Sequence, residues 1–376
     1  MRDLLYQHSP QKLQFQQLLE RTWYRRQMSG QLPSSRQLYT IPTVVHIVHN
    51  NGPGNITDAQ VQAAMSSLND AMRNRGIFNP STGVDVEIEF CLAVQDPNGN
   101  ATNGITRSVS TLTDFTMETE DLLVKGLSRW DPTQYLNIWV VNSITSLSVG
   151  PGVAGYAYFP SSHGAPEDGI VGEASYFDSA NDKISVFAHE AGHYLGLYHT
   201  FQGGCTNNDC LADGDRVCDT PPDASTNPVS CTATPNTCNT DSDDTNTRNP
   251  FRPTSMGGLG DQTDMFTNYM DYGDPNCYSA FTQGQKDRMV LALTGTRASL
   301  LQSIGCQSPC MQPLSASFAF GGLPVGVGGS VQLNAITTGP VTTYNWEVNG
   351  LSFSQNQNAN YTFPQVGTYI FNLVVE

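Results

Sequence analysis

Residues 189–199, with the sequence HEAGHYLGLYH, carry three imidazoles and one carboxylate at a spacing that can hold a metal ion. Residues four apart lie on one face of a helix, so His189 and His193 can direct their rings at one point. Gly196 can adopt the left-handed conformation that ends a helix, after which the chain can return His199 to the metal. Three imidazoles leave a fourth position open, which is typical of a catalytic zinc site rather than a structural one.

Glu190 lies beside these ligands without being one of them, and we expect it to act as a general base. Zinc lowers the pKa of a bound water to about 7, and Glu190 can take the proton of that water as it attacks a carbonyl carbon. An HExxH core can also arise by chance on an amphipathic helix, but five matched positions make chance a poor explanation. The motif therefore predicts a hydrolase.

A second motif, NYMDY at residues 268–272, follows about seventy residues after His199. With it, the sequence resembles the metzincin metallopeptidases, whose signature is HExxHxxGxxH followed by a methionine turn. The resemblance implies that Met270 forms an apolar floor beneath the metal. It also implies that Tyr272 lies near the metal, where a phenol can stabilise the oxyanion of a tetrahedral intermediate.

The flanking segments resemble those of one metzincin family, the pappalysins, including its secreted bacterial and fungal members. They are TFQGGC at 200–205, GDRVCDTP at 214–221, Cys277 and FTQGQ at 281–285. Thr200 departs from astacins, which carry Glu after the third histidine, and from adamalysins, which carry Asp. The likeness runs from about residue 40 to about residue 303. It implies an α+β catalytic domain with a mixed, mostly parallel twisted sheet, an active-site helix and an irregular, disulfide-held C-terminal subdomain.

The chain of 376 residues is long enough for such a domain and a smaller module. The predicted segments are a pro-segment-like helical region at 1–38, a catalytic domain at 39–303 with subdomains 39–200 and 201–303, a linker at 304–313, and a small all-β Ig-like sandwich at 314–376. The first segment is equally compatible with an ordinary amphipathic helix. Latency through a pro-segment thiolate is not expected, because no cysteine precedes Cys91.

Hydrophobic patterns predict the elements that position the motifs. The predicted strands are 39–49, 84–92, 136–141 and two short runs within 152–177, and the predicted helices are 57–74, 183–197 and 282–301. Thr57 with Gln60, and Thr282 with Gln285, form capping pairs at the starts of two helices. By resemblance, 152–177 lies above the cleft and binds an extended peptide by adding a strand to the sheet.

Six of the nine cysteines crowd into a Gly-, Pro- and Asn-rich stretch that contains no histidine. This pattern indicates disulfides formed in an oxidising compartment rather than a second zinc site. The six are Cys205, Cys210, Cys218, Cys231, Cys238 and Cys277. The family resemblance implies that Cys277 pairs with a cysteine of the preceding loops, with Cys231 as a candidate. We expect Cys91 to be a free, buried thiol, and Cys306 and Cys310 to be candidates for pairing with each other.

Acidic side chains recur in the loop after His199, and carboxylates at this density can coordinate calcium. Together with the family resemblance, they make Asp213, Asp215, Asp219 and Thr220 the candidate calcium ligands. A solvated acidic loop is the alternative.

The net charge of −16 and a pI near 4.6 make nucleic acid an improbable partner. No run of about 20 apolar residues is present to span a membrane. We expect no signal peptide in the first residues, because Met1-Arg2-Asp3 leads into a polar segment and not into an apolar core. The cysteines and the family resemblance nevertheless predict a secreted protein. Residues 344–347 and 367–369 resemble a PKD-type module, although 348–350 lack its usual Gly-Asp-Gly. Matrix or carbohydrate contact through this module, or a spacer role, both stay open.

The favoured function is therefore a secreted zinc endopeptidase acting on protein or peptide substrates. The alternative is a non-catalytic adhesive or matrix-binding protein that uses a metalloprotease scaffold. Glu190 favours the enzyme, because a scaffold used only for binding needs no general base.

Overall fold

A computed structural model describes residues 10–30, 37–76, 78, 83–224, 230–309, 314–321, 325–339 and 341–376. The chain divides into two compact units, the first Met1–Ala93 with Gly104–Cys306 and the second Val94–Asn103 with Gln307–Glu376. The boundary after Cys306 lies inside the predicted linker. Within the described residues, no helix has the length and hydropathy needed to cross a bilayer.

The first unit is organised around a six-stranded sheet. Its strands and those of a smaller sheet are β1 (Tyr39–His49), β2 (Ile88–Leu92), β3 (Ile105–Val109), β4 (Asp114–Thr116), β5 (Leu136–Val141), β6 (Ser143–Ser146), β7 (Gly150–Pro151), β8 (Gly155–Ala157) and β9 (Ile170–Glu173). The main sheet has the order β2-β1-β5-β9-β8, with β3 also paired to β1. All its pairings are parallel except β8 with β9. The mixed, mostly parallel sheet expected from the resemblance is therefore present.

Five helices accompany these strands. They are α1 (Pro10–Ser29), α2 (Asp58–Met72), α3 (Met117–Leu127), α4 (Asn181–Tyr194) and α5 (Gln283–Thr294). Short 3-10 turns lie at Thr111–Thr113, Pro160–Ser162, Asp241–Asp243, Thr254–Met256, Pro275–Cys277 and Ala298–Gln302. Reciprocal capping boxes start α2 at Thr57 and α5 at Thr282, as the sequence predicts. The helix predicted over 282–301 ends earlier, because Gly295 leaves helical geometry and glycine weakens a helix.

The core places α4 beneath the sheet. Phe187 of α4 belongs to the same core cluster as Val45 and Ile47 of β1 and Leu68 of α2, and all four are fully buried. A second cluster, which includes Trp139 of β5, covers the other face. Each large apolar side chain buried in this way contributes about 1.5–3 kcal/mol. The helix that carries the histidine motif is thus fixed by the main core of the unit.

The eight described cysteines form four disulfides. In the described part of residues 201–270, the only regular secondary structure is short 3-10 turns. The pairs are Cys91–Cys306, Cys205–Cys238, Cys210–Cys218 and Cys231–Cys277. The prediction that the six crowded cysteines form disulfides is confirmed, and Cys231, the candidate partner of Cys277, is bonded to it.

Two cysteine predictions are wrong. Cys91 is not a free thiol, and Cys306 does not pair with Cys310, because Cys91 and Cys306 are bonded to each other with Cα atoms 6.1 Å apart. The partners are separated by 215 residues, and only the tertiary fold brings the end of β2 next to the end of the unit. Cys310 lies outside the described residues.

The second unit is all-β, as the sequence predicts for its C-terminal part. Its strands are β10 (Ser315–Gly321), β11 (Ser330–Thr338), β12 (Tyr344–Val348), β13 (Leu351–Ser354), β14 (Asn358–Thr362) and β15 (Phe371–Val375). They form two antiparallel sheets with the orders β10-β11-β14 and β13-β12-β15. Trp346 is fully buried in the core with Val331, Leu333 and Ala359. The PKD-like identity of this unit stays a prediction.

Candidate metal centre and active site

The end of α4 and the turn after it bring three imidazoles together. His189 and His193 lie on α4, and Gly196 takes a φ of +95° that reverses the chain, so that His199 returns to the same point. The Nε2 atom of His199 lies 3.0 Å from that of His193 and 3.2 Å from that of His189. Tetrahedral zinc with Zn–N bonds of 2.0–2.1 Å requires such atoms about 3.3 Å apart. The donor set therefore fits zinc, and it is the only cluster of this kind among the described residues.

Backbone carbonyls orient two of the three rings. His189 donates from Nδ1 to the carbonyl of Tyr269 at 2.6 Å, and His193 donates from Nδ1 to the carbonyl of Leu197 at 2.8 Å. These bonds leave the Nε2 lone pairs free for a metal. Burial lowers the pKa of His189 to about 4 and holds the pKa values of His193 and His199 well below the ordinary value. All three rings are consequently neutral at pH 7, as metal ligands must be.

Aromatic rings hold the third ligand. Phe201 stacks on His199 with ring centroids 4.6 Å apart and planes at 11°, and Tyr272 meets the same ring edge-on at 4.8 Å. The sequence analysis did not identify Phe201 as part of the site. The one sign of Phe201 in the sequence is its position two residues after His199, within the flanking TFQGGC segment.

Glu190 is almost completely buried beside the ligands, and its Oε2 atom has no hydrogen-bond partner among the described residues. Gly155 of β8 passes so close that a Cβ atom there would lie 3.2 Å from Cγ of Glu190. Burial raises the pKa of Glu190 to about 8. A carboxyl group with a pKa near neutrality is suited to take up and return a proton.

The methionine turn lies against the last turns of α4. Met270 is fully buried, and its Sδ atom occupies the space where a Cβ atom on Gly192 would lie. Asn268 accepts a hydrogen bond from the backbone N of Met270 and exchanges two side-chain hydrogen bonds with Gln285. The carbonyl of Met270 accepts from the backbone N of Thr200 at 3.1 Å. The turn is thereby tied to both the metal-ligand segment and α5.

Tyr272 borders the ligands and is 39% exposed. Its ring centroid lies 5.5 Å from that of His189 and 4.8 Å from that of His199. Burial, with a smaller contribution from the nearby Glu190, raises the pKa of Tyr272 above its ordinary value. The phenol therefore stays protonated and can donate a hydrogen bond.

A cleft of about 500 Å³ opens over these groups. Its lining combines the catalytic candidates with apolar side chains, including His189, Glu190, Tyr272, Val149, Val153 and Val186. The strand β8 borders the cleft at Gly155 and is the terminal strand of the main sheet. An extended peptide can pair with such an edge strand by backbone hydrogen bonds.

The structure does not gather the four candidate calcium ligands into one cluster. Asp213, Asp215 and Thr220 line one small cavity of about 20 Å³. Asp215 is buried and accepts from the hydroxyl of Thr220 at 2.7 Å, and burial raises its pKa to about 7. Asp219 instead accepts from the hydroxyl of Thr282 and the backbone N of Gly284, at the start of α5. Its place in the sequence gave no sign of this capping role.

The sequence profile of the family described as pregnancy-associated plasma protein-A matches residues 119–294. An extracellular metalloprotease of Pyricularia oryzae is 30% identical over 275 residues, which cover 69% of this chain and 77% of that protein. The chain belongs to the pappalysin family of metalloproteases.

Solved structures agree with the family assignment. Mature mirolysin of Tannerella forsythia, in complex with a cleaved peptide, is 32% identical with a TM-score of 0.56, and the match covers 72% of this chain and 97% of that one. A promirolysin mutant of Tannerella forsythia is 30% identical with a TM-score of 0.57, covering 80% and 95%. This pappalysin thus has a mirolysin-like metalloprotease fold with a further all-β region, and its three histidines fit a zinc ion.

The buried carboxyl of Glu190 gives this pappalysin a pH-dependent stability when it is metal-free. The folded pKa of about 8 lies above the ordinary value of 4.5, so the stabilising contribution is complete below about pH 4.5 and is lost as the pH rises through 8. We expect metal-free Glu190→Gln to unfold at a higher temperature than metal-free wild type, with a difference that grows over this range. Thermal unfolding after chelation measures it. A difference in unfolding temperature that stays constant between pH 4.5 and 8 would show that the pKa of Glu190 is not raised in the folded protein.

Proposed function

We propose that this pappalysin is a secreted, metzincin-type zinc endopeptidase that cleaves peptide bonds within protein chains. The observation that carries the proposal is the convergence of three Nε2 atoms beside the buried carboxyl of Glu190, in a cleft bordered by an edge strand. Four disulfides favour an oxidising compartment. The extracellular metalloproteases among its relatives also support secretion. Matrix or carbohydrate contact by the second unit stays a prediction.

The chain's own residues supply most of the proposed mechanism. Zinc, when bound by His189, His193 and His199, supplies a Lewis acid and lowers the pKa of water to about 7. Glu190 takes the proton of the attacking water and later gives it to the leaving amine. Tyr272 donates its hydroxyl proton as a hydrogen bond to the developing oxyanion. β8 aligns the substrate backbone along the cleft.

Cleavage of a casein or gelatin substrate tests the function. We expect wild type to release fragments cut at internal peptide bonds, which mass spectrometry of the products identifies. The chelator 1,10-phenanthroline should stop the reaction, and added zinc should restore it. An intact substrate after incubation with zinc-loaded protein would instead favour the scaffold hypothesis, in which the second unit or the cleft only binds.

Replacing Tyr272 by phenylalanine tests the oxyanion role. We expect kcat to fall about 10²- to 10³-fold with KM little changed, because one preorganised donor to the transition state is lost. Tyr369→Phe is the matched control, since Tyr369 lies in the second unit and its hydroxyl donates to the carbonyl of Gln365. Steady-state kinetics on a fluorogenic peptide compare the two variants. Equal kcat values for Tyr272→Phe and wild type would exclude the role.

We also propose a structural calcium ion at the cavity of Asp213, Asp215 and Thr220, with Asp219 outside the site. The support is the buried carboxyl of Asp215, whose raised pKa a cation would relieve. A calcium-selective chelator should lower the unfolding midpoint by about 5 °C or more, since calcium at 100 times its dissociation constant adds about 2.7 kcal/mol.

Calcium, but not zinc, should restore that midpoint, and Asp215→Asn should abolish the response to the chelator. Asp178→Asn is the control, because Asp178 is an exposed acid at the start of α4. If the chelator does not change the unfolding midpoint, the calcium site is excluded, and these residues form a solvated acidic loop.

A further inference from the structure

The N-terminal helix α1 is attached to the segment that carries the third metal ligand. Tyr198, which directly precedes His199, donates its hydroxyl proton to Oε1 of Glu20 at 2.8 Å. The same hydroxyl accepts from Nε2 of Gln16 at 3.0 Å. Both α1 side chains are buried, as is Tyr198 itself. Two residues of α1 therefore fix the position of the residue next to a metal ligand.

A second connection runs through Arg288 of α5. Its Nη2 atom donates to Oε1 of Glu20 at 2.6 Å, and its Nε atom donates to the carbonyl of Gly196 at 2.8 Å. Its guanidinium also lies over the ring of Tyr198, 4.9 Å from the centroid. Glu20 thus holds the ligand-bearing turn at two points, the Gly196 carbonyl through Arg288 and Tyr198 directly.

The charge of Glu20 is well compensated in this position. Burial by itself would raise the pKa of Glu20, but Arg288 and Arg216 outweigh it and lower the pKa to about 2. Arg216 pairs with Oε2 of Glu20 at 3.1 Å, and its carbonyl accepts from Nε1 of Trp23 at 2.9 Å. Removing one partner of a buried ion pair leaves the other charge uncompensated. We therefore expect Glu20→Gln, which removes the negative charge, to leave Arg288 and Arg216 without their charged partner.

Tyr198 also contacts the surroundings of a second ligand. Phe159 lies between Tyr198 and His193, with ring centroids 5.3 Å and 5.4 Å away. None of the α1 partners named here is among the residues that line the cleft. The contacts between α1 and the ligand-bearing turn therefore lie outside the lining of the cleft.

We propose that α1 is a positioning element for the metal centre, in which Glu20 and Tyr198 are positioning residues that hold His199 in its ligand geometry. The proposal rests on the proposed function. It also gives a role to a segment that the sequence left as either a pro-segment or an ordinary helix. Groups outside the ligand shell that orient metal ligands commonly change metal affinity 10- to 100-fold when replaced.

The test compares Glu20→Gln and Tyr198→Phe with wild type in the full chain. We expect the zinc dissociation constant, measured by competition with a chromophoric chelator, to rise about tenfold or more in each variant. In cobalt-substituted protein, the visible d–d bands should shift, because they report ligand geometry. kcat should fall while KM stays within about twofold. Gln17→Glu, an amide–carboxylate exchange on the exposed face of α1, should leave all these values unchanged.

The double variant tests whether the two residues act through one contact. We expect the double variant to bind zinc with the affinity of whichever single variant binds it more weakly, because the effects of two residues that act through one contact are not additive. Two fully additive losses would show separate effects and overturn the proposal, as would wild-type zinc affinity and cobalt spectra in both single variants. Tyr198→Phe retains the ring and serves if Glu20→Gln fails to fold. Wild type that binds no zinc would overturn the proposed function itself, whereas active, zinc-bound wild type with unchanged variants would overturn only the role of α1.

Discussion

Glu190→Gln is expected to bind one zinc ion per chain as wild type does, and to lose peptidase activity by a factor of about 10²–10⁴. The amide is nearly the same size as the carboxyl, so the packing against Gly155 is preserved. It cannot accept a proton from the attacking water. Initial rates on a fluorogenic peptide, together with metal analysis of the same sample, measure the two expectations.

Glu347→Gln is the matched control, because Glu347 lies on β12 of the second unit and accepts a long hydrogen bond from the side-chain amide of Asn345. It should be as active as wild type. Near-wild-type activity in Glu190→Gln would show that another group accepts the proton, and the proposed mechanism would fail even if zinc binding were intact.

His193→Ala is expected to lose both the metal and the activity. The substitution removes one of three Nε2 atoms, and the two remaining imidazoles cannot complete a site that uses three protein ligands. It also removes the hydrogen bond to the carbonyl of Leu197, which helps to define the turn. Metal analysis after dialysis should find far less than one zinc per chain, with activity at background.

His49→Gln is the control for this prediction. His49 is also buried, but it lies on β1 and accepts a hydrogen bond from the backbone N of Asn51. Its variant should retain one zinc per chain and wild-type activity. Stoichiometric zinc in purified His193→Ala would mean that the metal is bound elsewhere, and the assignment of the centre would be wrong.

The parts of the site that the sequence predicts are local in the chain. The spacing of His189 and His193 follows from helical periodicity, and the reversal at Gly196 follows from the freedom of glycine at positive φ. The capping boxes at Thr57 and Thr282 are likewise encoded within four residues. Where a physical rule acts over one helical turn, the sequence is sufficient.

Contacts between residues far apart in the sequence could not be predicted from helical periodicity or from local motifs. Spacing gave no information on the pairing of Cys91 with Cys306, and the sequence did not reveal that Asp219 accepts hydrogen bonds at the start of α5. The role of Met270 and the Cys231–Cys277 pair came from family resemblance, not from periodicity. Contacts between residues distant in sequence depend on how whole elements pack, which local patterns do not specify.

By itself, the sequence determined which groups can bind the metal and take up a proton, namely three imidazoles and one carboxylate on a single helix–turn segment. It also determined that the chain is acidic and carries nine cysteines. Only the tertiary structure decided what surrounds that segment. It buried Glu190 and raised its pKa, stacked Phe201 on His199, and joined Glu20 to Tyr198 across 178 residues. The reason is that ligand spacing is set by backbone geometry within a turn, whereas burial and charge compensation arise when separate elements pack together.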